Sequence, residues 1–471
     1  MIDANSDIGI IGMAVMGQNL ALNMEEKGYQ VSVYNRTNSQ TEKFKNKRAR
    51  DKHIVDTYEL EEFVSSLEKP RKVLLLVKAG EPVDMVIDQL LPLMEEGDII
   101  IDGGNSNFRD TNRRVDKVGE EGLYYLGTGI SGGEYGALHG PSIMPGGHRE
   151  AYDEVSKILR SAAAQTPEGP TCEYLGPRSA GHYVKMVHNG IEYAIMQSIA
   201  EVYWAMENLL DLEQNEMADL FEAWNQELEA YLMEITVEIL REEDHKTGRP
   251  LLEVILDTAK QKGTGKWTSQ SALDLGVPVP TITAAVDARL LSARKEQRGR
   301  LNELYGETGS SEVYEGLQED LGQALYLSIV TAYAQGLDLL VEASEEYDYG
   351  LDLQDVAQIW KDGCIIRSNL LDPISASYSG EQLDTLLASE EFEENYRKGL
   401  PSLRRVVSAL STTDLICLAL NASLKYFDSL TAERLPANMI QAQRDYFGAH
   451  TYQRVDEEGS FHTEWQDIKN I

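Results

Sequence analysis

The stretch DIGIIGMAVMGQNLALNMEEKGYQVSVYNRT, residues 7–37, restricts the fold more than any other part of the chain. The apolar run at 8–11 reads as a buried strand. A turn over 12–17 opens a helix that continues towards residue 26. Gly28 permits the return, and the alternation at 30–34 reads as a second strand. Within this βαβ pattern Gly12, Ala14 and Gly17 have GxGxxG spacing, with alanine in the second glycine position. Such a turn brings backbone N–H groups near a pyrophosphate, and the helix start favours its charge. A tight strand–helix turn in any α/β protein would look similar, but the flanking strands and helix favour dinucleotide binding.

The end of the second strand bears on which dinucleotide. An Asp or Glu there would suit the ribose hydroxyls of NAD; this chain has Asn35-Arg36-Thr37. Arg36 can neutralise a 2′-phosphate and stack beside adenine, and Asn35 and Thr37 add neutral hydrogen bonds, which favours NADP. Further strands are expected at 72–77 and 98–101. Each ends in a polar or glycine-rich loop, KAGEP and DGGNSNFRDT, which makes Lys78 and Asn105 candidate ligand contacts. YYLGTGISGGEYGALHGPSIMPGG reads as a long ligand-shaped loop region. Its Ser131-Gly132-Gly133 can offer a hydroxyl and backbone donors to a carboxylate or sugar oxygen.

At 471 residues the chain exceeds one ordinary core. Beyond about residue 175 the texture becomes helical, with apolar positions at helical spacing amid Glu, Gln, Ala and Leu. The expected architecture is α/β plus all-α: a Rossmann-like dinucleotide-binding domain at 1–177, an all-helical domain at 178–435, and a C-terminal tail at 436–471. The tail's Tyr446, Phe447, Tyr452, Phe461 and Trp465 are costly to leave in water, so it is expected to pack on another surface. Asp plus Glu outnumber Lys plus Arg by 78 to 43, a formal charge of -35. That field opposes nucleic acid and anionic lipid but leaves room for a local cationic pocket. Cys172, Cys364 and Cys417 are dispersed, and neither a secretory segment nor an uninterrupted membrane-length apolar run is apparent. A reducing, cytoplasmic location is the expectation.

AGHYVKMVHNGIEYAI, residues 180–195, concentrates the candidate chemistry. On a helix Lys185 and Asn189 share a face, as do His188 and Glu192, and Asn189 and Tyr193. Lys185 and Glu192 lie nearly two turns apart on one side. The segment presents a potential base and acid to a cleft, or simply makes the salt bridges of a partly buried helix. His188-x-x-x-Glu192 is not a zinc motif, and no metal site is expected. Lys262 and Thr264 in KGTGKWT, with Arg289 and Arg444, are candidates for an anion site; the Walker A spacing is absent.

The ordered set GMAVMG, NRT, VKAG, GGNS, SGGEYGA, GPSIMPGG, KMVHNGIEY, KGTGKWT and RDYFGAHTY closely resembles decarboxylating 6-phosphogluconate dehydrogenases over essentially the full chain. The resemblance implies that Gly12, Met13, Ala14, Val15, Met16, Gly17, Asn35, Arg36, Thr37, Val77, Lys78 and Ala79 contact NADP, with Asn105 where cofactor and substrate meet. It implies that Ser131, Gly132, Gly133, His188, Asn189 and Tyr193 hold the sugar acid of 6-phosphogluconate. Lys262, Thr264, Arg289, Arg444 and His450 would hold its phosphate end, the last two supplied across a homodimer by the tail. Lys185 would be the base in oxidation and Glu192 the acid that protonates C1 after loss of carbon dioxide. Another NADP-dependent 3-hydroxyacid dehydrogenase would share the fingerprint without needing the phosphate site. A noncatalytic NADP- or sugar-phosphate-binding protein would bind without turnover.

Overall fold

Strand β1, Ile8–Ile11, lies inside a seven-stranded sheet because its four residues are apolar or glycine and buried on both faces. In the computed structural model, which describes residues 5–306, 313–380 and 383–465, the sheet order is β3-β2-β1-β4-β5-β6-β7. The elements are β1, α1 (Val15–Glu26), β2 (Val31–Tyr34), α2 (Asn38–Lys47), β3 (Ile54–Asp56), α3 (Leu60–Ser65), β4 (Lys72–Leu75), α4 (Glu81–Leu90), β5 (Ile99–Asp102), α5 (Phe108–Glu120), β6 (Tyr124–Ile130), α6 (Gly133–His139), β7 (Ile143–Gly147) and α7 (Arg149–Ala162). β1 to β6 pair in parallel, and β7 returns antiparallel to β6. Strand order reverses beside β1, where β2 lies on one side and β4 on the other. That crevice is where doubly wound sheets bind ligands.

The observed β4 stops at Leu75, short of the expected 77, and β5 runs one residue later than expected. The larger difference is at 124–147, which is not a long loop. It is strand, helix and strand, because the glycines that suggested a loop allow close packing instead. Both sheet faces are covered, one by a core including Ile10, Leu20, Val33 and Tyr152, the other by Phe63, Val73, Ile87 and Tyr125.

After a short two-stranded ribbon (165–170) the chain is helical: α8 (Ala180–Leu209), α9 (Gln214–Leu228), α10 (Tyr231–Arg241), α11 (Leu251–Val254), α12 (Thr264–Leu275), α13 (Pro280–Ser292), α14 (Lys295–Tyr305), α15 (Leu317–Glu346), α16 (Leu353–Trp360), α17 (Leu371–Ser377), α18 (Glu390–Ser411), α19 (Leu418–Leu430) and α20 (Ala437–Gly448). α8 and α15, 30 residues each, form the spine, with α18 on the far side of α15. α15 is the one described helix long and apolar enough to cross a membrane, yet most of its apolar window is buried inside the protein, as in a core helix.

The start of α8 lies directly on the sheet. A Cβ on Gly129 of β6 would stand 2.3 Å from Lys185 Cβ, and one on Gly181 would stand 2.2 Å from the Met144 carbonyl oxygen. Only glycine admits this approach.

Residues 424–465 form a second compact unit. Its centre is Asp445, fully buried, whose carboxylate accepts from Thr451 N, His462 Nδ1, Thr463 N and Trp465 Nε1 at 2.8–3.1 Å. Tyr452 and Phe461 pair through backbone hydrogen bonds, and Tyr446 stacks against Trp465. Phe447 nevertheless stays 72% exposed and Val455 99%.

Candidate active site

The close seat of α8 on β6 and β7 leaves Lys185 only 6% exposed. One turn along, His188 is fully buried, and its Nδ1 lies 3.2 Å from Lys185 Nζ and 3.1 Å from Asn189 Oδ1. Its Nε2 lies 3.2 Å from Ser131 Oγ, at the end of β6. Glu192 Oε2 is 3.9 Å from the same Nδ1. The imidazole therefore links Lys185 to the Ser131-Gly132-Gly133 turn, with Glu192 on its open side.

Burial lowers the Lys185 pKa to about 8, while the Glu192 carboxylate works in the opposite direction. The lowering thus comes from desolvation. Burial raises Glu192, with Lys185, Arg289 and Lys262 opposing. His188 is pushed well below its ordinary value by burial and then by Lys185, so the ring is neutral. Low dielectric favours neutral Lys185 and protonated Glu192, whereas their mutual attraction favours the ion pair.

A second wall comes from α12 and α13. The Arg289 guanidinium carbon stands 3.4 Å from the centre of the Tyr193 ring. A Cβ on Gly265 would sit 2.5 Å from that ring, so the start of α12 abuts Tyr193. Gly263 caps α12 in the left-handed region, which makes Thr264 the first helical residue instead of a turn residue and leaves exposed Lys262 just outside. Thr268 Oγ1 donates to the Met186 carbonyl and ties α12 to α8.

At the sheet's switch point Gly12 has φ +108, and a Cβ there would stand 2.4 Å from the Leu76 carbonyl oxygen. One on Gly17 would strike the Gly12 carbonyl. No side chain caps α1, so the N–H groups of its first turn have no side-chain acceptor at the N-cap. Met13 N donates to Asn35 Oδ1 at 3.0 Å, and the Met13 side chain is buried in the core. Ala14, Val15, Arg36, Thr37, Lys78 and Asn105 are exposed; Met16, Asn35, Val77 and Ala79 are half-buried.

The structure therefore gathers Ser131, Lys185, His188, Asn189 and Glu192 in one cluster, beside Tyr193, Lys262, Thr264 and Arg289. Arg444 and His450 belong to the second unit, where both are exposed; Arg444 donates to Gln441, and His450 lies edge-on to Phe447. Sequence reasoning missed Trp360 and Cys364. Trp360 is fully buried, edge-on to His188 at 5.8 Å, and Cys364 is an electrostatic neighbour of Lys185. A Cβ on Gly132 would meet the Gly363 carbonyl at 2.5 Å. No local pattern links residues 360–364 to His188; a Trp-x-x-x-Cys spacing is indistinguishable from ordinary core. Among the described residues no cluster of His, Cys, Asp or Glu is arranged to hold a metal ion.

Residues 7–176 match the family model described as the NAD binding domain of 6-phosphogluconate dehydrogenase, and residues 181–465 match that of its C-terminal domain. Two relatives from Bacillus subtilis (strain 168) are similar over 98% of this chain and 99–100% of their own. The NADP(+)-dependent decarboxylating 6-phosphogluconate dehydrogenase is 50% identical and the NAD(+)-dependent one 49%. The solved structure of Plasmodium falciparum 6-phosphogluconate dehydrogenase, studied in its apo form and with its cofactor NADP+ and its substrate 6-phosphogluconate, superposes with a TM-score of 0.94. It is 45% identical, covering 98% of this chain and 100% of that one.

Proposed function

Because the chain belongs to the 6-phosphogluconate dehydrogenase family, we propose that it oxidises and decarboxylates 6-phosphogluconate to ribulose 5-phosphate and carbon dioxide, reducing NADP to NADPH, in the oxidative pentose phosphate pathway. The observation that carries this reading is the buried Lys185–His188–Ser131 chain with Glu192 beside it. A 3-hydroxyacid dehydrogenase without decarboxylation would not need the Tyr193, Lys262, Thr264 and Arg289 wall.

The residues present fit NADP. The turn at Gly12 leaves no room for a side chain, the α1 N-terminus is uncapped, and Arg36 is exposed at the end of β2. Relatives named for either cofactor are almost equally similar, so overall identity does not discriminate; Arg36, suited to a 2′-phosphate, favours NADP. When bound, the cofactor supplies the hydride acceptor.

Neutral Lys185 takes the proton of the substrate's 3-hydroxyl as hydride leaves C3. The resulting 3-keto acid can lose C1 as carbon dioxide, its bonding electrons passing to an enediolate. The Lys185 ammonium, now protonated, stabilises that oxygen. Glu192 then gives its proton to the carbon that bore the lost carboxylate, C1 of the product, as the enediolate electrons re-form the carbonyl, giving the keto sugar phosphate. Neutral His188 holds Lys185 on one nitrogen and Ser131 on the other, orienting the base beside the loop that receives the substrate. Arg289 and Lys262 supply charge for the phosphate.

The protein works as a homodimer in which Arg444 and His450 of the tail complete the neighbouring site. Helix α14 supports this: it buries none of its residues, and Leu304 and Tyr305 are 71% and 78% exposed. The protein's location is the cytoplasm, and its acidity argues against nucleic acid and anionic membranes as partners.

The test is turnover of the purified chain on 6-phosphogluconate with NADP and NAD, quantifying NADPH, carbon dioxide and ribulose 5-phosphate together. Equimolar formation of all three with NADP is expected. Turnover of an unphosphorylated hydroxyacid alone, without carbon dioxide, would overturn the reading.

A further inference from the structure

Arg114 is the most completely buried charged side chain near the site, and nothing in the reaction uses it. It lies on α5 and is 0% exposed. Its five N–H bonds are all engaged. Nε donates to Asp84 Oδ1 at 2.9 Å; Nη2 donates to Asp84 Oδ2 at 3.1 Å and to the Gly80 carbonyl at 2.9 Å. Nη1 donates to Ser106 Oγ at 3.1 Å and Asp102 Oδ2 at 3.3 Å. Gly80 and Asp84 follow the loop after β4 that holds Val77, Lys78 and Ala79. Asp102 and Ser106 bracket the loop after β5 that holds Asn105. One guanidinium thus ties together both loops at the carboxyl end of the sheet.

Asp102 extends the connection. Its Oδ1 accepts from Gly104 N at 3.0 Å, and its Oδ2 accepts from Ser106 Oγ at 2.6 Å and Tyr125 OH at 2.9 Å. Its backbone carbonyl lies 3.0 Å from His182 Nε2, in the first turn of α8. A carbonyl only accepts, so the His182 proton is on Nε2; Nδ1 must then accept from Thr111 Oγ1 at 2.7 Å. His182 stands one turn before Lys185. Cofactor loops and catalytic helix therefore share one buried hydrogen-bond frame.

We propose that Arg114, through Asp102 and His182, is a positioning residue that sets the two cofactor-side loops against the base-bearing helix, fixing the approach of hydride acceptor to substrate. The inference rests on the assignment of those loops to NADP. A lysine at 114 keeps the charge but has three donors on a single nitrogen and cannot span Gly80, Asp84, Asp102 and Ser106 together. Merely filling the core would not require five directed bonds. The frame acts on geometry, so its loss should appear in cofactor affinity and in the hydride step, not only in stability.

The experiment compares wild type, Arg114→Lys and the milder Ser106→Ala. NADP affinity is measured by calorimetry, and the primary isotope effect with 6-phosphogluconate deuterated at C3. Arg114→Lys is expected to raise the Kd for NADP about tenfold and lower kcat on the order of 10²-fold. The isotope effect on kcat should rise as hydride transfer becomes limiting. Ser106→Ala should move both in the same direction, with Kd rising about threefold. Folded variants with wild-type Kd and isotope effect would overturn the inference, and if Arg114→Lys does not fold, Ser106→Ala decides it. Wild type that binds NADP but does not turn over would instead refute the proposed reaction, while the calorimetry would still judge the frame.

Discussion

Lys185 combines two conditions that ordinarily conflict, deep burial and a basic amine. Its pKa of about 8 leaves an appreciable neutral fraction at physiological pH, whereas an exposed lysine would have very little. Because Lys185 and Glu192 interact, neutral lysine with protonated glutamate carries the same number of protons as the ion pair. The kcat/KM profile is therefore expected to be bell-shaped, falling in acid as both groups hold protons and in base as both lose them. In Glu192→Gln the fall in base should disappear from the oxidation step, as read by NADPH formation in a single turnover. Lys185→Met is expected to lower turnover on the order of 10³-fold while leaving NADP affinity unchanged by calorimetry. The folded pKa lies below the unfolded one, so the buried ammonium costs stability below about pH 8, and the cost fades as pH rises towards the unfolded value. Lys185→Met should accordingly raise the melting temperature at pH 6.5, with a smaller gain at pH 9.5.

Among the elements, α8 does more than carry Lys185 and Glu192. Farther along it, Glu201 is 2% exposed and accepts from Ala419 N at 2.9 Å and Leu420 N at 3.0 Å, satisfying the first turn of α19. Burial raises this carboxyl to about 6, with those backbone donors opposing. Each carboxylate oxygen serves one backbone N–H, and Oε1 also accepts from Gln197 Nε2 at 2.9 Å. A carboxamide has only one acceptor, so its NH2 would confront the other donor. Glu201→Gln is therefore expected to destabilise the protein by about 1–3 kcal/mol, seen as a lower thermal midpoint. The same helix is joined to α15 by the Ser198–Ser328 hydroxyl pair, continued through Ser423 to Thr281 on α13. These bonds hold the Arg289 helix and the base-bearing helix in one arrangement.

For the whole molecule, an excess of 35 negative charges must coexist with an anionic substrate. In the proposed site Arg289, Lys262 and Lys185 would answer this locally, because charges a few ångströms away outweigh a distant field that salt screens. The tail raises a different requirement, since a site completed by a partner exists only in the dimer. If Arg444 and His450 act across subunits, mixtures of inactive Lys185→Met and inactive Arg444→Ala chains, unfolded and refolded together, should recover activity at roughly a quarter of wild-type sites. Refolded mixtures with no more activity than their components would reject the cross-subunit role. Light scattering on the wild type should give the mass of two chains.

Much of this was legible in the residues themselves. Period-two and period-3.6 patterning placed the βαβ start and the helical body. Helical geometry alone put Lys185 and Glu192 on one side of α8, because residue spacing along a regular helix determines direction. The ordered motifs assigned the chemistry. Tertiary structure decided what depends on distant partners: that 124–147 is strand, helix and strand, that Lys185 is buried deeply enough for desolvation to lower its pKa, and that Trp360 and Cys364 close the site from some 170 residues away. Arg114 is the clearest case. Nothing in its local sequence distinguishes it from the exposed Arg113 beside it, because burial and five satisfied donors arise only when the segments following β4 and β5 meet α5.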